Sequence, residues 1–184
     1  MVILASKSPR RKELLAELGV KFQIIPAVGE EVVDLSLDKA KIAESIALHK
    51  AREVFATHPS DTVIGADTIV VLGDEILGKP KDNADERRMI TELSGKAHYV
   101  YTGYAVISPN FCESGADVTK VYFNRLPNDV IEAYVESGLG LDKAGGYGIQ
   151  DGFNLVEEIE GSYSNVVGFP QEVFKKLIKK YNIQ

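Results

Sequence analysis

The chain has 184 residues, 45% hydrophobic and 26% charged, which suits a globular domain with a sizeable core. Its net charge of −6 argues against a general nucleic-acid coat, whose affinity rests on neutralising phosphates, but not against a small phosphorylated ligand held by a local basic cluster. No apolar run reaches the roughly 20 residues of a membrane span. Met1 leads directly into a strand pattern, and the lone cysteine, Cys112, has no internal disulfide partner. The expectation is a single cytoplasmic domain over 1–184, with no membrane or nucleic-acid polymer as partner.

Ile3, Leu4 and Ala5 predict a strand over 2–5, and Leu14, Leu15 and Leu18 a helix over 9–18. Ser8 suits the N-cap and Pro9 the first helical position. Arg10 and Arg11 then occupy the first turn, where partial positive charge makes an exposed cation cost about 0.3–1 kcal/mol. A docked anion would reverse that sign, because free amides, serine hydroxyls and arginine forks together form a phosphate site. A capped surface helix with two solvated arginines is the other reading.

A strand follows over 22–26, then Glu30-Glu31, which either solvate a loop or supply oxygen ligands to Mg²⁺ or Mn²⁺. The helix over 38–56 has an apolar stripe of Ala43, Ile46, Ala47, Ala51, Val54 and Phe55. Lys50 falls inside that stripe, where it must snorkel or meet an anion. Strands over 62–72 and 75–78 read as a hairpin through Gly73-Asp74. With Leu72 opposite Glu75, the register carries Thr68 opposite Lys79. Asp67, beside them, is a carboxylate in an apolar run. It is costly there unless it meets a cation or takes hydrogen bonds, or unless it caps a turn at the strand end.

A helix over 83–94 ends at Gly95, and strands over 98–107 and 116–123 join through Ser108-Pro109-Asn110. A helix over 128–136 ends at Gly138. LDKAGGYGIQDG, residues 141–152, has four glycines in twelve residues, a backbone able to turn sharply and approach a ligand. No GKS or GKT follows, so it is not a P-loop. A strand over 154–159 and a helix over 170–181, with a solvated lysine face, complete an α/β pattern with a mixed twisted sheet flanked by helices.

Other chemistries lack support. His49, His58 and His98 lack metal-site spacing, and Ser162 and Ser164 in GSYSN do not form a nucleophile elbow. What remains is a cationic set, Arg10, Arg11, Lys50 and Lys79, suited to polyphosphate, and a carboxylate pair, Glu31 and Asp67, suited to a divalent metal. Phosphoryl chemistry needs mainly positioning and charge stabilisation. Metal-assisted hydrolysis of a nucleotide is the reading these residues carry.

The order LASKSPRRKELL, GEE, LHKA, GADTIV, GKP, LSGKAHYVYTG, DKAGGYGIQ and GSYSNVVGFP resembles the Maf family over nearly the whole chain. The resemblance implies a nucleoside triphosphate pyrophosphatase that cuts between the α and β phosphates. It also implies a divalent cation, a cytoplasmic location and frequent dimerisation. The implied fold is similar to that of the inosine triphosphate pyrophosphatases, with a central nucleotide-binding cleft. The family's working positions fall on Ser6, Arg10, Arg11, Glu31, Lys50, Asp67, Lys79 and Gln150. Asp67 would act as general base or hold the metal, and Glu31 would help bind it. Ser6, Arg10, Arg11, Lys50 and Lys79 would grip phosphates. Arg10, Ala66-Asp67-Thr68 and Tyr147-Gly148-Ile149-Gln150 resemble the dTTP/UTP branch rather than the 7-methyl-GTP branch, which makes Arg10, Thr68 and Gln150 the implied specificity positions. Leu139-Gly140 stands where that branch usually has Glu-Pro, a departure expected to affect metal or substrate handling if that Glu belongs to the site. The family's link to inhibition of septum formation keeps a second class open, a regulatory protein that binds nucleotide as a signal.

Overall fold

A computed structural model describes residues Met1–Gln184. Seven strands form one mixed sheet: β1 Val2–Leu4, β2 Phe22–Ile24, β3 Thr62–Leu72, β4 Glu75–Leu77, β5 Ala97–Ser108, β6 Phe111–Phe123 and β7 Val156–Glu160. The order is β2-β1-β3-β5-β6-β7, with β4 paired to β3. Strand β1 is parallel to β2 and β3, whereas β3/β4 and β6/β7 are antiparallel. Six helices accompany the sheet: α1 Pro9–Ala16, α2 Lys39–Thr57, α3 Asn83–Leu93, α4 Asn128–Ser137, α5 Tyr163–Val167 and α6 Gln171–Tyr181. The expected mixed α/β architecture is the one observed. No helix is long and apolar enough to cross a membrane.

Two compact units are built from this chain: Met1–Thr68 with Thr102–Asp117 and Gly168–Gln184, and Ile69–Tyr101 with Val118–Val167. In the first, period-two alternation assigns each strand residue to one of two apolar clusters. Val2, Leu4, Ile64 and Ala66 pack with Leu15 of α1 and Phe174 and Leu177 of α6. Ile3, Ala5 and Val63 pack with Ala51 and Val54 of α2. Both faces are therefore covered, as a parallel ladder requires. By the same alternation, Gly65 and Asp67 share the α2 face of β3, and Thr68 shares the α1 face.

The second unit has its own core, in which Met89, Ile90 and Leu93 of α3 meet Ile131, Tyr134 and Val135 of α4, with Val121, Phe123, Tyr147 and Leu155. Here the hairpin takes the register the turn residues dictate, Leu72 opposite Glu75, Val71 opposite Ile76 and Val70 opposite Leu77. Strand β4 then stops, so the expected pairing of Thr68 with Lys79 is not part of the ladder, and Lys79 lies in the exposed segment that follows.

The helix caps follow local chemistry. Ser8, Asp38 and Asp82 each accept a backbone N–H at the start of α1, α2 and α3. Gly138 closes α4 at φ 70°, a conformation that favours glycine. Two elements differ from expectation. Strand β6 begins at Phe111 rather than 116, because the two-residue turn Pro109-Asn110 leads straight into pairing. Helix α5 was not expected; Ser162 Oγ caps it by accepting the Asn165 N–H at 3.2 Å.

Candidate active site

The first unit gathers six of the nine candidate residues around the middle of β3. Helix α2 can lie close to the sheet because two strand positions carry no side chain. A Cβ on Gly65 would sit 2.4 Å from the Ala47 carbonyl oxygen, and one on Gly103 would sit 1.9 Å from that of Ala43. These carbonyls are one helical turn apart, and the next turn presents Lys50. Asp67, two residues beyond Gly65 on the same face, meets it: Lys50 Nζ lies 2.6 Å from Asp67 Oδ1. Glu31 Oε1 approaches the same nitrogen at 2.6 Å from the loop after β2. Lys50 thus sits in an apolar stripe because it has a carboxylate to meet.

On the opposite face of β3, Arg11 turns inward from the first turn of α1. Its Nε donates to Gly168 O at 2.9 Å, Nη1 to Ser6 Oγ at 3.2 Å and Nη2 to Thr68 Oγ1 at 3.1 Å. Ser6 Oγ also accepts the Ser8 N–H at 3.2 Å, and Thr68 Oγ1 lies 3.0 Å from Thr102 Oγ1. Three donor positions of the guanidinium are committed to the fold, so Arg11 is a strut as well as a cation. Its remaining N–H groups are what it can offer a ligand.

Burial dominates the electrostatics. Asp67 is 8% exposed, and burial pushes its carboxyl above the ordinary carboxylate range against the pull of Lys50 and Arg11, with Glu31 adding to the rise. Burial also lowers the Arg11 pKa, with Asp67 opposing. A buried carboxylate of raised proton affinity, held by a cation, is a stronger base than an exposed one and is suited to take a proton.

Arg10 is partly buried in the first turn of α1, beside the helix N-terminus. Lys79 and Gln150 belong to the second unit and are exposed. Sequence reasoning missed Thr102 and Gly168, which join Ser6 and Thr68 around Arg11. Gly168 adopts φ 120° and turns its carbonyl to Arg11. The glycine in VVGFP was its only signal. The cation that Asp67 meets is Lys50, not the Lys79 that the hairpin register suggested.

The donor set suits a hard divalent cation. Glu31 and Asp67 both offer carboxylate oxygen, and the point they now share is the Lys50 ammonium, so a metal would bind through their remaining oxygens. No cluster of three or more His, Cys, Asp or Glu residues forms, so a metal there would complete its shell with water and phosphate oxygens, as Mg²⁺ commonly does. Gly140, where the branch usually has proline, is tightly enclosed. A Cβ there would lie 2.0 Å from Gly146 O and 2.2 Å from Glu86 Oε1. The neighbouring Leu139 is exposed, and its carbonyl accepts from Lys143 Nζ.

The model of the family described as Maf-like protein matches residues 1–181. The chain belongs to the Maf family. Maf relatives include a dTTP/UTP pyrophosphatase of Pyrococcus furiosus, 49% identical over 181 residues, 97% of this chain and 94% of that one. A Deinococcus radiodurans protein of the same name is 48% identical over 179 residues, covering 97% and 91%. Among solved structures, this Maf chain is similar to the Staphylococcus aureus Ham1 protein over 67% of its length and 72% of the other chain, with TM-score 0.48 and 11% identity.

Proposed function

We propose that the chain is a nucleoside triphosphate pyrophosphatase that hydrolyses dTTP and UTP to the monophosphate and pyrophosphate. The observation that carries this reading is the buried Asp67, held with Glu31 on Lys50 beside the Arg11–Ser6 cluster at the N-terminus of α1. The names of the relatives support the substrate class.

Asp67 takes a proton from the attacking water, and Lys50 orients its carboxylate. Arg10, the free N–H groups of Arg11, the Ser6 hydroxyl and the α1 amides hold phosphate oxygens, where developing charge is stabilised without reorganisation. The family resemblance assigns Lys79 to phosphate, and Thr68 and Gln150 to selection of the base. Mg²⁺ or Mn²⁺, held by Glu31 and, as the alternative to its role as base, by Asp67, would neutralise polyphosphate charge and acidify water. The reading carries a cytoplasmic location and a second copy of the chain as partner, the latter checked by light scattering.

The test is a panel of dTTP, UTP, CTP, GTP, ATP and 7-methyl-GTP with either metal, with products separated by chromatography. Monophosphate and pyrophosphate from dTTP and UTP are expected. Asp67→Asn should lose on the order of 10²–10⁴ in rate, the contribution of a positioned base. Diphosphate plus phosphate would mean attack at the other bond. Saturable binding without turnover would move the chain to the regulatory class.

A further inference from the structure

The glycine-rich segment that the sequence singled out is held by one buried hydroxyl. Gly148, Ile149, Gln150 and Asp151 form a turn closed by the Asp151 N–H on Gly148 O at 3.1 Å. Tyr134 of α4 is fully buried, its ring edge-on to Phe153 with centroids 5.1 Å apart. Its Oη accepts the Gly148 N–H at 2.9 Å and donates to Asp151 Oδ2 at 2.7 Å. The two residues it grips are the two ends of the turn. Lys143 Nζ lies 3.6 Å from the same Asp151 oxygen.

The fit needs glycine at 148, where a Cβ would lie 2.5 Å from Asp151 Oδ2 and 2.8 Å from Lys143 Cε. A second anchor precedes the turn: the buried Tyr147 has its Oη 2.6 Å from His98 Nε2. Between these anchors lie Ile149, which is half-buried, and Gln150, which is exposed. A turn secured this firmly holds one side chain in one place, which free loop solvation does not require.

We infer that Tyr134 is a positioning residue for base selection: its hydroxyl fixes the turn that presents the Gln150 amide. This rests on the pyrophosphatase reading and on Gln150 acting at the base. A carboxamide both donates and accepts; held in one orientation it matches the carbonyl and N3–H edge of thymine or uracil, whereas cytosine, whose N3 accepts and whose N4 amino group donates, needs the amide turned over. Pre-organising that amide removes an ordering cost from recognition of the correct base.

The test is a double-mutant cycle of Tyr134→Phe and Gln150→Ala, reading kcat and KM for dTTP and CTP, with melting curves to verify folding. Tyr134→Phe keeps the ring and should lower the dTTP-over-CTP ratio of kcat/KM roughly five- to tenfold, the worth of about one hydrogen bond, mainly through KM. In the Gln150→Ala background it should change that ratio by less than about twofold. A similar loss in both backgrounds would make Tyr134 merely structural and overturn the inference. So would an unaltered ratio in Gln150→Ala, which leaves the pyrophosphatase reading standing. No turnover of dTTP or UTP by the unaltered protein would overturn both. If Tyr134→Phe does not fold, Asp151→Ala and Asp151→Asn replace it. Asparagine, which keeps an acceptor for Tyr134, should retain more of the ratio than alanine.

Discussion

Replacing Lys50 with methionine isolates the ion triple, because methionine retains the apolar stem in the α2 stripe while the charge is lost. Lys50 Nζ is 2.6 Å from both carboxylates, with side-chain exposures of 18% for Lys50, 12% for Asp67 and 52% for Glu31. At an effective dielectric near 20, the Lys50–Asp67 attraction is roughly 6 kcal/mol gross, and the desolvation of both groups offsets much of it. Glu31, half in water, adds little. The stability loss in Lys50→Met therefore comes chiefly from leaving Asp67 buried without its cation, about 3 kcal/mol at pH 8, the lower end for a broken buried pair. Burial already raises the Asp67 pKa, and Lys50 is the largest influence lowering it. Its removal raises the folded-state pKa further, so the variant is protonated at Asp67 over a wider range. Stability then falls as pH rises from the unfolded Asp value through the folded one. Urea denaturation at pH 5 and pH 8 should show the loss shrinking by more than about 1 kcal/mol at the lower pH, one pKa unit being worth about 1.4 kcal/mol. In an Asp67→Asn background the same substitution should cost under about 1 kcal/mol. Equal losses at both pH values and in both backgrounds would refute this account, since the cost would then lie in packing and not in a stranded carboxylate.

The kcat/KM for dTTP should rise with pH through the raised Asp67 pKa and level off above it, and Asp67→Asn should abolish that limb in a pH–rate profile. Glu86 is wholly buried, and burial raises its carboxyl against the pull of Lys143 and the Gly140 amide. Its raised folded-state pKa means that the wild-type protein loses stability as pH climbs above the unfolded Glu value. Glu86→Gln should therefore melt higher at pH 8, by about 2–4 °C, with the difference closing by pH 4 in thermal denaturation. Gly65→Ala drives a methyl to 2.4 Å from the Ala47 carbonyl, so α2 must shift and carry Lys50 from Asp67. The expected cost is about 1–3 kcal/mol in urea together with slower turnover. Gly78→Ala, whose methyl would meet nothing within 4 Å, should stay within about 0.5 kcal/mol.

Much of this molecule is local, and so legible in the chain. The β-prone run Val63 to Leu72 declares β3, Gly73-Asp74 sets the hairpin register, and Ser8 and Asp38 cap helices where their oxygens reach a free N–H. The rule-breaking residues also declare themselves: a lysine in an apolar stripe and an acid in an apolar strand each need a partner. Which partner they find is not local. Asp67 meets Lys50, 17 residues away, and not the Lys79 its hairpin offered. Arg11 reaches Gly168 across 157 positions and so becomes a strut. The need for glycine at 65 and 103 shows only once α2 is packed against them. Tyr134 looks like one more aromatic on a helix until its hydroxyl meets both ends of the Gln150 turn. Periodicity and turn chemistry fix dihedrals and say which face of an element is apolar. They do not say which faces meet, because the free energy of that choice is spread over close packing between segments distant in the chain.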